Sequence, residues 1–218
     1  NDDGYYVISV DTAAAQMTDE IQVEMLVNGE VVKTGTYSVY TYAQYILSGE
    51  YSAETKALVK EMLNYGAAAQ NYFSYNTENK IEETLIAGAG ASEIDGSNVA
   101  DMGIEGSAEG VRFYGASLVL ESKVAVRFYF TVEGDINNYT FSAGSKPVLK
   151  NGLYYVEVAD INPQDYDEAI TLTVNETLTI SYSPMTYIVR KGANGSDNLK
   201  ALLKAMYNYY LAAEVYAA

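Results

Sequence analysis

The chain has 218 residues, a formal net charge of -16, a sequence pI near 4.2 and 49% hydrophobic residues. That apolar content can bury a core and excludes a disordered chain, while the negative field disfavours nucleic acid and anionic lipid as partners. Cysteine, histidine and tryptophan are absent, which excludes disulfides, thiol nucleophiles, iron–sulfur clusters, histidine-dependent triads and the usual zinc, copper or haem ligands.

The opening Asn1-Asp2-Asp3-Gly4 has no signal-peptide character and reads as the start of a mature or trimmed chain. Tyr5 to Val10 reads as a strand. Ile21, Val23, Met25 and Val27 alternate, the period of a half-buried strand, and Asn28-Gly29 ahead of Val31-Val32 predicts a hairpin. Residues 41–48 suit a short helix. From Glu54 to about Tyr75, the spacing of Leu58, Met62, Tyr65, Ala69 and Tyr72 predicts a long helix with one face packed on the sheet. Residues 86–110 carry no aromatic, lysine or arginine and are rich in Gly, Ala and Ser, so they read as an acidic linker or long surface loop.

Beyond it, Val111 to Glu121 and Val124 to Val132 read as strands, the second a central one. Tyr139 to Ala143 reads as a short strand. Val148-Leu149, Asn151-Gly152 and Leu153 to Val158 predict a hairpin, and Ile170–Val174 and Leu178–Tyr182 continue the sheet. Gly192 to Asn198 reads as a loop in which Asp197 caps a final helix. That helix places Leu199, Leu202, Leu203, Met206, Tyr209, Tyr210 and Ala213 on one face. No stretch approaches the ~18–20 apolar residues of a membrane helix, so membrane insertion is not expected.

The strongest internal signal is a repeat. Lys56 to Tyr72 and Lys200 to Tyr216 are identical at ten of 17 positions, at a constant offset of 144. Tyr37-Ser38 and Thr41-Tyr42 match Tyr182-Ser183 and Thr186-Tyr187 at an offset of 145. Asp19-Glu20 and Asn28 parallel Asp167-Glu168 and Asn175. The order strand, strand, Tyr-Ser segment, long helix is therefore written twice. The predicted fold is α+β, with a shortened strand-helix unit over 1–85, a linker over 86–110 and a full, sandwich-like unit over 111–218.

Residues 62–75 (MLNYGAAAQNYFSY) and 115–130 (GASLVLESKVAVRFYF) resemble a repeat of large secreted or surface-anchored proteins of gut clostridia-type anaerobes. Such proteins often also carry dockerin, Ig-like or leucine-rich modules. The resemblance covers nearly the whole chain outside residues 86–110. It implies an extracellular location and modular use, and it implies no activity.

The residues leave three chemistries open. Glu121, Glu157, Asp160 and Asp165 fall at or near predicted strand ends, and paired carboxylates are all that a glycosidase requires. No spacing selects a pair, and surface acids explain them as well. Asp160, Asn162, Asp165 and Asp167 have the alternate spacing of a calcium loop. Position 6 of that loop is an acid, however, and position 12 is Thr171, so an Asx-rich turn fits better and no cofactor is required. The chain holds 22 tyrosines against five phenylalanines. Tyr40 and Tyr45 stand where the second copy has Met185 and Arg190, and they are the candidates for an exposed ligand-binding face. Tyr65, Tyr209, Tyr72 and Tyr216 repeat and read as core. No phosphate loop, dinucleotide fingerprint or nucleophile elbow occurs. The expectation is a non-catalytic extracellular module for adhesion to a protein or glycan, or a spacer. A carboxylate-only hydrolase and a calcium-stabilised scaffold are the alternatives.

Overall fold

The architecture is that of a computed structural model, which describes residues 7–97, 99, 102–120 and 123–218. Asn28 and Gly29 take left-handed backbone angles, φ 53° and 85°. This two-residue turn matches the natural twist of strands and folds β1 (Ile21–Val27) antiparallel onto β2 (Glu30–Tyr37). Ser38 then caps α1 (Val39–Ser48), its hydroxyl accepting from the Thr41 N–H at 3.0 Å. Ser52 caps α2 (Ala53–Phe73) through the Thr55 N–H at 3.2 Å.

The chain continues through β3 (Gly103–Gly106), β4 (Val111–Val119), β5 (Ala125–Val132), β6 (Val148–Lys150), β7 (Leu153–Val158), β8 (Ile170–Val174) and β9 (Leu178–Tyr182). It ends in α3 (Pro184–Asn194) and α4 (Asp197–Ala217). The sheets run β1-β2, β3-β9-β8 and β4-β5-β7-β6, all antiparallel. The class is α+β, with the long C-terminal helix packed against the β-rich half.

The repeat is visible in the backbone. Short 3-10 turns, Ala14–Gln16 and Pro163–Asp165, precede the two equivalent hairpins. The Tyr40 N–H donates to the Met17 carbonyl at 2.8 Å, and the Met185 N–H donates to the Tyr166 carbonyl at 2.7 Å. Ser183 caps α3 through the Thr186 N–H at 3.0 Å, as Ser38 caps α1. Each long helix has 21 residues. They pack on one another, on their own short helix and on their own 3-10 turn. Tyr65 and Tyr209, equivalent positions, stack with ring centroids 6.1 Å apart and planes at 24°. One cluster of buried side chains runs from Ala14 through Leu63, Phe128 and Ile180 to Tyr210, so both units share a core.

Several local expectations change. Residues 7–10 lie in no strand and are exposed, and Tyr5-Tyr6 fall outside the described residues. Of the strand expected over 139–143, only a single bridge, Phe141 to Val174, forms, because Thr140–Ser142 turn along the edge of β8. Ser196, not Asp197, caps α4, its hydroxyl accepting from the Leu199 N–H at 3.4 Å. Helix α3 runs on to Asn194, into the expected loop. The buried face of α2 turns chiefly to α4 and to the 3-10 turn at Ala14–Gln16. Gly66 permits this approach, since a Cβ there would lie 2.7 Å from Met17 Sδ and 3.1 Å from the Ala14 carbonyl.

Residues 86–110 are tied to both long helices. The Gly90 N–H donates to Glu61 on α2 at 3.0 Å. Ser92 exchanges two 3.0 Å hydrogen bonds with Asn208 on α4. Lys204 pairs with Glu93, and Gly103–Gly106 adds a strand beside β9.

Candidate functional site

Helix α1 buries Ala43 and Ile46 and turns its other face outward. Residues three apart on a helix are surface neighbours, so Tyr42 and Tyr45 meet, with ring centroids 6.5 Å apart and planes at 21°. The turn after the helix brings Tyr51 edge-on to Tyr45 at 6.2 Å. Gly49 makes room for it, because a Cβ there would lie 2.9 Å from the Tyr51 ring. The three rings are 64%, 62% and 40% exposed. Desolvation, then the nearby Tyr45 hydroxyl, pushes the Tyr51 phenol above the usual tyrosine value. Two nearly parallel exposed rings and a third at their side form an apolar platform with hydroxyls at its rim, suited to stacking on a flat apolar face and hydrogen-bonding around it.

Tyr45 therefore lies where the sequence places it, on the surface. Tyr40 does not: it packs against the core, and its hydroxyl accepts from the Glu82 N–H at 3.4 Å. The reason is helical phase, since Tyr40 lies on the inward side of α1. Tyr42 and Tyr51 were missed. Tyr42 has a repeat partner in Tyr187, so it lacks the departure from the repeat that singles out Tyr40 and Tyr45, and Tyr51 lies outside any periodic pattern. Their signal was the three-residue spacing of Tyr42 and Tyr45 in a short helix closed by a glycine. In the second copy Arg190 and Gly195 stand where Tyr45 and Tyr51 do, so the platform belongs to the first unit alone. Among the repeated tyrosines, Tyr65 is buried, Tyr72 and Tyr209 are half-buried, and Tyr216 is exposed near the end of α4.

The acids gather elsewhere. Asp11, Glu157 and Asp160 line a shallow cleft of about 320 Å3 beside Lys123. Lys123 Nζ lies 2.7 Å from Asp160 and 3.3 Å from Asp11, and these carboxylates, Asp160 first, raise its pKa. Glu157 accepts from Arg127 Nε at 2.6 Å. Asp165 accepts from the Asn162 side chain at 2.9 Å, and Glu121 lies outside the described residues.

The four residues with calcium-loop spacing are not brought together. Asp160 turns to Lys123, Asn162 and Asp165 bond each other, and Asp167 lies beside Met185, Tyr207 and Tyr210. No group of three or more acids suited to a metal ion occurs among the described residues.

A second cavity, about 400 Å3, opens at the junction of the units and is lined by Met17, Met62, Tyr65, Tyr166 and Tyr209, with Lys123 and Asp160 also in its wall. Burial raises the Tyr65 and Tyr166 phenols well above their usual value, with the neighbouring tyrosines adding to the effect.

No described helix is long and apolar enough to cross a membrane. Comparison with protein-family models, curated proteins and solved structures finds no match. Fold and site together define an α+β chain of two repeat-related halves with an aromatic platform on one of them.

Proposed function

We propose that the chain is a non-catalytic binding module of a secreted or cell-surface protein, and that it holds a glycan on the Tyr42–Tyr45–Tyr51 platform. The observation that carries this reading is the cluster of three exposed rings, Tyr42 and Tyr45 on α1 and Tyr51 in the turn after it, with Tyr45 packed against both others. An exposed aromatic cluster marks an interaction site. Pyranose rings present apolar C–H faces that stack on such rings, and their hydroxyls suit phenols. The acidity of the chain and the resemblance to repeats of surface-anchored proteins support the extracellular setting.

The test is a glycan array followed by affinity electrophoresis in polysaccharide gels. Tyr45→Ala and Tyr42→Ala are expected to abolish retention of the wild-type ligand, while each changes unfolding free energy by less than about 0.5 kcal/mol, as is usual at exposed sites. Failure of the wild-type protein to bind any glycan, with an elongated, rigid scattering profile, would make the module a spacer.

The acid cleft favours one second reading, a carboxylate-dependent hydrolase acting through Asp160 with Asp11 or Glu157. Release of reducing ends from a polysaccharide, lost in Asp160→Asn, would establish it. The ion pairs holding these carboxylates favour a structural role instead.

A further inference from the structure

Three phenols converge on the 400 Å3 cavity at the junction of the units. Tyr65 and Tyr209 occupy equivalent positions of α2 and α4 and stack across the junction at 6.1 Å. Tyr166 closes the second 3-10 turn and stands where the first unit has Met17, since the Met185 and Tyr40 N–H groups donate to these two carbonyls. Tyr65 and Tyr166 are 5% and 1% exposed, and Tyr209 is half-buried.

None of the three hydroxyls has a hydrogen-bond partner among the described residues. Among those residues, every buried side-chain polar atom sealed from solvent does have one. The three hydroxyls therefore touch open space, and the cavity that they line is that space. An unpartnered buried hydroxyl carries a desolvation penalty that phenylalanine in its place would not. Burial keeps all three phenols protonated at neutral pH, so each can donate as well as accept. The rest of the wall is largely apolar and includes Met17 and Met62, whose thioethers pack well against aromatic rings. Its charged members, Lys123 and Asp160, are bonded to each other at 2.7 Å. The volume suits a small-molecule site, for which roughly 300–1,000 Å3 is usual.

We propose that this cavity binds a small uncharged aromatic molecule bearing a hydroxyl or carbonyl oxygen, its ring against Met17 and Met62 and its oxygen on Tyr65, Tyr166 and Tyr209. An anion would meet Asp160 and a net charge of -16, and a cation would meet Lys123. Either would lose its hydration to walls that already hold three phenols neutral. A sugar ring carries more hydroxyls than three phenols and a largely apolar wall can pair, and each one left over is penalised. Residues of both units line the cavity, so such a ligand ties the halves together. The proposal is independent of the Tyr42–Tyr45–Tyr51 platform.

The test follows the ε-methyl NMR signals of the six methionines as 4-methylphenol, toluene, benzoate, benzylammonium and methyl glucoside are each titrated into the full chain. 4-Methylphenol is expected to shift Met17 and Met62 and to leave Met25, on the exposed hairpin, unmoved. The other four probes should bind at least about fivefold more weakly, the loss expected for one missing hydrogen bond or one buried charge. Tyr65→Phe and Tyr166→Phe should each weaken 4-methylphenol about fivefold and leave toluene unchanged. Both variants are expected to keep the fold, which thermal unfolding checks, because neither hydroxyl bonds to the protein. Equal binding of toluene and 4-methylphenol by the wild-type chain would overturn the proposal, whatever the variants do. So would Met17 and Met62 signals that no probe moves, which would leave water alone in the cavity. Tighter binding of methyl glucoside there would overturn it in favour of a sugar.

Discussion

Tyrosine does two opposite jobs in this chain, and burial separates them. Tyr42 and Tyr45 keep their rings in water, while Tyr65 and Tyr166 are enclosed. A phenol becomes charged on losing its proton, so burial favours the protonated form and raises its pKa. Above the ordinary value of about 10 the unfolded chain loses protons that the folded one keeps. Their contribution to stability is therefore complete below pH ~10 and is lost as pH climbs through the higher folded values, by about 1.4 kcal/mol per pH unit for each such phenol. Urea unfolding at pH 9, 10 and 11 should show this decline. Tyr166→Phe should make it shallower, and a stability independent of pH over that range would contradict the assignment.

The clearest equivalence between elements is in their starts. Ser38 and Ser183 make the same cap, each accepting from the N–H three residues on, at 3.0 Å in both cases. Replacing either by alanine leaves that N–H without its partner and should cost about 1 kcal/mol. Equal losses in the two variants, measured by thermal or urea unfolding, would confirm that the copies are energetically equivalent at this point. The long helices differ more. At the position of Gly66, α4 carries Tyr210. Gly66→Ala should destabilise despite alanine's better helix propensity, because the added carbon meets a backbone carbonyl and the packed Met17 and Ile81 side chains. A gain in melting temperature would show instead that the 3-10 turn can yield.

At the scale of the molecule, the seam between α2 and α4 decides whether two halves behave as one body. A shared core predicts one cooperative unfolding transition in calorimetry. Tyr65 and Tyr209 stack across the seam, so a double-mutant cycle of Tyr65→Ala and Tyr209→Ala should give a coupling of about 0.5–1.5 kcal/mol. Two separate transitions and no coupling would mean that the halves fold alone. The segment 86–110 contributes to the seam through Gly90, Ser92 and Glu93. Its Gly, Ala and Ser composition resembles a flexible linker, because small residues that hydrogen-bond through their backbone leave no side-chain periodicity to read.

Periodicity and punctuation determined much from the sequence alone: the α+β class, the hairpin turns at Asn28-Gly29 and Asn151-Gly152, the two long helices and their equivalence. Each is a local pattern, dictated by backbone geometry within a few residues. The exposed face of α1 was half legible, because Tyr45 departs from the repeat while Tyr42 conforms to it. Only the tertiary structure decided that Tyr40 turns inward, that Tyr51 joins Tyr42 and Tyr45, and that the acids at 160–167 scatter among different partners. Those outcomes depend on helix phase and on contacts between segments far apart in the chain, such as Tyr40 with Glu82 and Asp160 with Lys123, and nearest-neighbour chemistry carries no record of either.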